Sequence, residues 1–147
     1  MKYDIQLSQH FMLSEFLRSG EAERRGIDNT PSVQVISNLQ HLCREVLEPL
    51  REYMQQPIVI SSGYRCLELN RVLKSSDSSQ HVTGEAADIH LPSIAMGRRY
   101  LDYLLQYGHY HQLIWEHDSN GCYWIHVSLK QYGQNSQQYI PNLLKPK

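Results

Sequence analysis

The order of the periodic segments constrains the fold of this 147-residue chain most, because helical patterns come first and strand patterns follow. Apolar residues recur at helical spacing over residues 35–54, and Ser14 precedes a shorter helical pattern. Pro49 falls inside the longer pattern, so the helix should kink or divide there. Thr30 and Pro31 are suited to the cap and the first position of this helix.

The remainder of the chain favours short strands. We predict a buried β-branched strand at residues 58–60, a short helix at 67–73, a strand at 86–91 and a helix that opens at Pro92-Ser93 and ends at Gly108. Two further strands, 112–117 and 123–129, flank the turn sequence D-S-N-G. The pattern predicts an α+β fold in a single domain: a small antiparallel sheet flanked by N-terminal helices. Residues 1–130 would form the domain and residues 131–147 a polar tail that is irregular or loosely docked.

Composition narrows the classes of partner. The formal charge is −1 and 41% of the residues are apolar, which is ordinary for a globular protein. No strong field exists to attract nucleic acid, no apolar run is long enough to cross a bilayer, and the N-terminus lacks the apolar core of a secretory signal. We therefore expect a monomer made in the cytoplasm, with neither nucleic-acid nor membrane partners. Its three cysteines form no disulfide framework.

Histidine is the unusual residue of this composition. The chain has eight histidines, and six of them lie between residues 81 and 126. Two of these, His81 and His126, together with Asp88 would make a common catalytic zinc set of two imidazoles and one carboxylate. Spacing alone leaves ordinary hydrogen-bonded or surface roles open for each residue. His90 follows Asp88 by two positions on the predicted strand, so it could support a ligand.

Residues 79–88 read S-Q-H-V-T-G-E-A-A-D and fit the pattern S-x-H-x-x-G-x-A-x-D at all five fixed positions. This resembles the signature of the zinc D-Ala-D-Ala peptidases, whose fold is related to the Hedgehog signalling domain. The S-G-Y-R segment at 62–65 and W-I-H-V-S at 124–128 also resemble family segments, in the same order. The similarity runs from about Phe11 to Leu129 and leaves the C-terminal tail outside.

The resemblance implies one zinc ion per chain, held by His81, Asp88 and His126. It also implies that Arg65 binds a substrate carboxylate and that Ser79 hydrogen-bonds to substrate. The implied activity is hydrolysis of peptidoglycan stem peptides or small D-peptides, as a D-Ala-D-Ala carboxypeptidase or an L-Ala-D-Glu endopeptidase, of bacterial or phage origin. Such a substrate leaves the site of action open between the cytoplasm and the cell wall after release.

The catalytic base is where the sequence departs from many relatives. Those carry an acid three residues before the last zinc histidine, where this chain has Tyr123. Glu116 is the best candidate, with Asp118 and His117 as weaker substitutes. Sides alternate along a strand, so Glu116 shares a side with His126 only if the hairpin loop is odd in length or contains a bulge. We therefore predict a three- or five-residue loop, or a bulge near Gly121.

Two other interpretations remain at this stage. The missing acid at position 123 gives some support to a zinc-stabilised peptide- or wall-binding module of the same fold without catalytic activity. A metal-free domain that contains the motif by chance is the second.

Overall fold

The computed structural model describes residues 4–141. Six α-helices precede or separate the strands: Ser14–Leu17 (α1), Gly20–Arg25 (α2), Val33–Leu42 (α3), Glu48–Met54 (α4), Leu67–Val72 (α5) and Ile94–Tyr107 (α6). Five strands form one sheet: Ile60–Ser62 (β1), Ala86–His90 (β2), Gln112–His117 (β3), Tyr123–Ser128 (β4) and Gln138–Ile140 (β5). None of the helices in the described part of the chain is long and apolar enough to span a bilayer. The α+β prediction is confirmed.

The long N-terminal helix is interrupted where the proline predicted it. Residues Cys43–Leu47 form a π-helical turn between α3 and α4, and the N–H of Glu48 donates to the carbonyl of Cys43. Pro49 has no N–H to continue the α-helical ladder, and it occupies the first turn of α4, where a missing donor costs little. The buried side of this unit, which includes Leu39, Leu42 and Leu50, packs into the core.

Two boundaries differ from the predictions. Ser32, and not Thr30, caps α3, because its hydroxyl accepts from the N–H of Val35 at 3.2 Å while the Thr30 hydroxyl bonds to Asp28. The first strand lies at Ile60–Ser62, and the expected strand at 58–60 is wrong for its first two residues. Ser62 pairs with Asp88 after a register shift that follows Ile60, so the strand extends into the serines predicted as a turn.

The sheet has the order β1-β2-β4-β3-β5, with antiparallel pairs except for β3 and β5, which are parallel. One face is buried against the helices and carries Ala87, Ile89, Leu113, Trp115, Ile125 and Val127. The intervening residues point to the other face, which we call the open face; it carries Asp88, Ile114, Glu116, Trp124 and His126. The register therefore separates the packing residues from the candidate functional residues.

The described part of the tail is not wholly irregular. Residues Gln138–Ile140 form β5 and pair with β3, where Tyr139 packs against the core beside Leu113. Of the two forms expected for the tail, these three residues are docked on the sheet and not irregular. Residues 142–147 of the predicted tail lie outside the described residues.

Candidate active site

His81 is held in the turn region that leads into β2. Its Nδ1 lies 2.6 Å from the carbonyl oxygen of Gly63, and its backbone N–H donates to the Ser79 hydroxyl at 3.3 Å. A carbonyl only accepts hydrogen bonds, so Nδ1 carries the proton and Nε2 of the neutral ring keeps its lone pair. The side chain is 4% exposed. The fold thus aims the free lone pair of a buried imidazole at a fixed point.

That point is the carboxylate of Asp88. Asp88 on β2 pairs directly with His126 on β4, so both side chains leave the open face next to each other. Asp88 Oδ1 lies 3.2 Å from His81 Nε2 and 3.1 Å from His126 Nδ1. Burial alone would raise the pKa of Asp88, but the charge of the imidazoles when they are protonated and the hydrogen bonds that they then donate outweigh it and hold that pKa below its ordinary value. The carboxylate is therefore ionised at neutral pH.

This donor set fits a zinc ion. One ligand atom from each of His81, Asp88 and His126 lies within 4.8 Å of the others. Tetrahedral ligands at the usual Zn–N and Zn–O distances are about 3.3 Å apart, close to the two contacts of Asp88 Oδ1. The His81 lone pair facing a carboxylate oxygen would be a meeting of two acceptors in the neutral ring, and a cation between them removes that conflict. The Gly63 carbonyl is the kind of outer partner that orients a metal-bound imidazole.

Arg65 lies beside this group and is only 14% exposed. Its guanidinium reaches Asp88 Oδ2 at 3.5 Å, the Ser62 hydroxyl at 3.2 Å and the Asn70 amide oxygen at 3.3 Å. Burial lowers the pKa of Arg65 and the Asp88 carboxylate offsets part of that effect, so the group stays cationic. These contacts fix the cation at the edge of the cleft.

A cleft of about 660 Å³ opens over the sheet and contains all six sequence-predicted site residues: Arg65, Ser79, His81, Asp88, Glu116 and His126. Its floor is the open face and one wall is the serine-rich segment 75–79. Glu116 pairs with Trp124, two residues from His126, and therefore lies on the same side of the sheet. Strand pairing ends at His117 and Tyr123, which leaves a five-residue loop, one of the alternatives predicted.

Comparison with protein-family models gives one match. The model described as peptidase M15 matches residues 9–128, most of the chain and all six candidate site residues. The chain belongs to the peptidase M15 family. A comparison with curated proteins finds no match.

Several aromatic and histidine side chains of this M15 peptidase lie away from the cleft. Tyr123 alternates with Trp124 and packs on the core side, with its ring 5.8 Å from that of Trp115. Position 123 therefore does not face His126 in this chain. His109 pairs with Glu45, and His90 is exposed on the open face opposite Trp124 without belonging to the three-residue group.

Other cleft residues of the M15 fold were not found from the sequence. Gln80, Gln112, Ile114 and Lys130 line the cleft, and the Gly63 carbonyl orients His81. The S-G-Y-R segment already contained Gly63, but nothing in its spacing shows that its carbonyl would face residue 81. The sequence could place Ile114 and Gln112 at the cleft only if the strand alternation used for Glu116 were continued back to the start of β3.

Proposed function

We propose that this M15 family member is a zinc peptidase that hydrolyses short peptides containing D-amino acids, of the kind found in bacterial peptidoglycan. The observation that carries the proposal is the convergence of His81, Asp88 and His126 on one point within the cleft that also receives Glu116 and Arg65. The S-x-H-x-x-G-x-A-x-D signature at residues 79–88 supports the choice of substrate class.

In the proposed reaction, His81, Asp88 and His126 hold the ion. A bound zinc supplies Lewis acidity to the scissile carbonyl and to the attacking water. Glu116 accepts a proton from the attacking water and delivers it to the leaving amine. Arg65 pairs with a carboxylate of the substrate, and the Ser79 hydroxyl provides a hydrogen bond at the cleft wall. The positions of these side chains orient a short peptide across the open face.

The direct test combines metal analysis with peptide hydrolysis. Protein purified without added metal should contain about one zinc ion per chain. It should hydrolyse D-Ala-D-Ala or an L-Ala-D-Glu peptide, and the release of a free amine measures that hydrolysis. Full zinc content with no hydrolysis of any wall peptide would contradict the proposal.

Arg65→Lys should raise KM for a peptide with a free carboxylate by about tenfold or more, with a smaller effect on kcat. Lysine keeps the charge but cannot make the two parallel hydrogen bonds of a guanidinium. The measurement is a steady-state comparison of the free acid with its amide.

The amide and a second arginine serve as controls for this variant. Arg71→Lys alters an exposed arginine paired with Asp77 and should leave KM unchanged. The effect of Arg65→Lys should vanish for the amidated peptide. An equal loss on acid and amide would mean that Arg65 acts through its contact with Asp88 and does not bind the substrate carboxylate.

A further inference from the structure

The edge strand β5 lies outside the family match, and it widens the face of the sheet that carries the candidate site. The match ends at residue 128, whereas β5 spans Gln138–Ile140 and pairs in parallel with β3. Gln138 is opposite Gln112, Tyr139 is opposite Leu113, and Ile140 is opposite Ile114. The open face of this chain is thus one strand wider than the matched region.

The register fixes which β5 side chains reach the open face. Paired residues on neighbouring strands point to the same side of a sheet. Tyr139 packs against the core, so Gln138 and Ile140 point the opposite way. The hydrogen bond from Gln112 Nε2 to Gln138 Oε1, at 2.9 Å, agrees with this arrangement.

Ile140 and Ile114 together form what we call the isoleucine shelf. Ile114 lines the cleft and pairs with His126, so the shelf begins directly beside a candidate metal ligand. With strands about 4.8 Å apart, the two side chains lie about 5 and 10 Å from the His126 position. Both side chains are partly exposed, and Ile140 extends the shelf beyond Ile114, past the residues that line the cleft.

The surroundings of the shelf are polar. Glu116 lies two residues from Ile114 along β3, and the Gln112–Gln138 pair borders the other side. The opposite wall of the cleft carries Ser75, Ser76, Ser78 and Ser79. The two isoleucines offer an apolar contact that favours an aliphatic group, and they offer no partner to a charged group that loses hydration there.

We propose that the isoleucine shelf is a subsite for an aliphatic side chain of the substrate residue next to the scissile bond, with Ile140 as a determinant of specificity. The inference rests on the proposed peptidase function for the location of that bond. It adds a residue from β5 to the recognition of substrate.

The test compares matched peptides that carry glycine, leucine or aspartate on either side of the scissile bond. The wild-type protein should prefer leucine at one of the two positions. Ile140→Ser should lower kcat/KM for the leucine peptide about tenfold and leave the glycine peptide within twofold. Equilibrium binding of the same peptides to the zinc-loaded protein, followed by tryptophan fluorescence, gives a readout that does not depend on turnover.

Ile94→Ser is the matched control, because Ile94 is also an isoleucine with an exposed side chain but lies on α6, the helix that packs beside Trp115 on the buried face of the sheet. It should keep the preference for leucine. Ile140→Thr retains a β-branched side chain suited to a strand, and it should reduce the preference even if Ile140→Ser folds poorly.

The outcomes separate the shelf from the peptidase proposal. The shelf proposal would be overturned if the wild-type protein treated all the peptides equally. It would also be overturned if both Ile140 variants kept the preference for leucine. A leucine preference in binding that depends on Ile140, without hydrolysis of any peptide, would support the shelf and contradict the peptidase proposal.

Discussion

Replacing Glu116 by glutamine is expected to lower kcat by about 10²- to 10⁴-fold while the zinc content stays near one ion per chain. Glutamine has nearly the same shape and can still form hydrogen bonds, but it cannot accept the proton of the attacking water. The measurement pairs steady-state kinetics on a wall peptide with elemental analysis of the same sample.

The position of Glu116 is the physical reason to expect so large an effect. Pairing with Trp124 puts Glu116 on the open face, and Ile114, two residues earlier on β3, is paired with His126. The carboxylate therefore lies at the cleft. Along β3 it is displaced by about one two-residue repeat from Ile114, which pairs with the candidate zinc ligand His126. Tyr123 points to the core, so position 123, which carries an acid in many relatives, offers no catalytic base here.

Asp118→Asn is the control for the loss of a nearby carboxylate. Asp118 Oδ1 accepts from the N–H groups of Asn120 and Cys122 at 2.9 and 3.0 Å, and an asparagine oxygen can accept the same bonds. This variant should keep kcat within about threefold of wild type, as expected for a surface change outside the reaction. If Asp118→Asn abolished turnover and Glu116→Gln did not, the assignment of the base would be wrong. A binding module without catalytic activity would bind peptide equally well in both variants.

The hairpin shows how much strand geometry can be obtained from sequence. The alternation of sides along a strand, combined with the requirement that Glu116 and His126 share one side, was sufficient for the prediction. It predicted an odd loop or a bulge, and residues 118–122 form a five-residue loop. The same alternation explains why Asp88 and His126 face the cleft while Ile125 and Val127 face the core.

The division of the N-terminal helix was predictable for a different reason. A proline inside a helical pattern removes a backbone donor whatever the tertiary structure is, so Pro49 was enough to locate the break. The form of the break, a π-helical turn over Cys43–Leu47, depends on how the two helical parts pack against the core, and the local sequence does not specify that.

Other features depend on contacts between distant segments and were missed. β5 is short and follows a polar segment, and it forms because Tyr139 packs against the core beside Leu113 and because β3 offers an unpaired edge. The cap of α3 moved to Ser32 because Asp28 binds the Thr30 hydroxyl. The Gly63 carbonyl can bind His81 only because the residue that follows β1 lies against the turn that carries His81. Sequence periodicity does not show contacts between such distant segments.

His126→Ala is expected to weaken zinc binding by at least 100-fold and to abolish peptide hydrolysis. Loss of an outer partner of a metal ligand alone typically costs 10- to 100-fold in affinity, and His126 is proposed to be a direct ligand. Its Nδ1 lies 3.1 Å from Asp88 Oδ1, so its removal leaves two ligands where a catalytic zinc site commonly has three. Competition with a chromophoric chelator measures the affinity.

His90→Ala is the matched control, because His90 lies on β2 two residues from Asp88 and is exposed on the same face. It should retain one zinc ion per chain and most of the activity. Equal zinc loss in both variants would mean that the loss does not distinguish a direct ligand from its neighbour on the same face, and undiminished zinc in His126→Ala would contradict the proposed ligand set.

Zinc should also stabilise the fold, since the ion binds a site that the unfolded chain does not preserve. Free zinc at about 100 times its Kd stabilises the native state by about 2.7 kcal/mol. For a chain of this size that corresponds to a rise in Tm of about 5–10 °C, measured by calorimetry with and without a chelator. The same rise should persist in Glu116→Gln, which keeps all three ligands, and should be lost in His126→Ala. A chelator that leaves Tm unchanged in the wild-type protein would argue for the metal-free interpretation, because His81, Asp88 and His126 would then be holding one another without an ion.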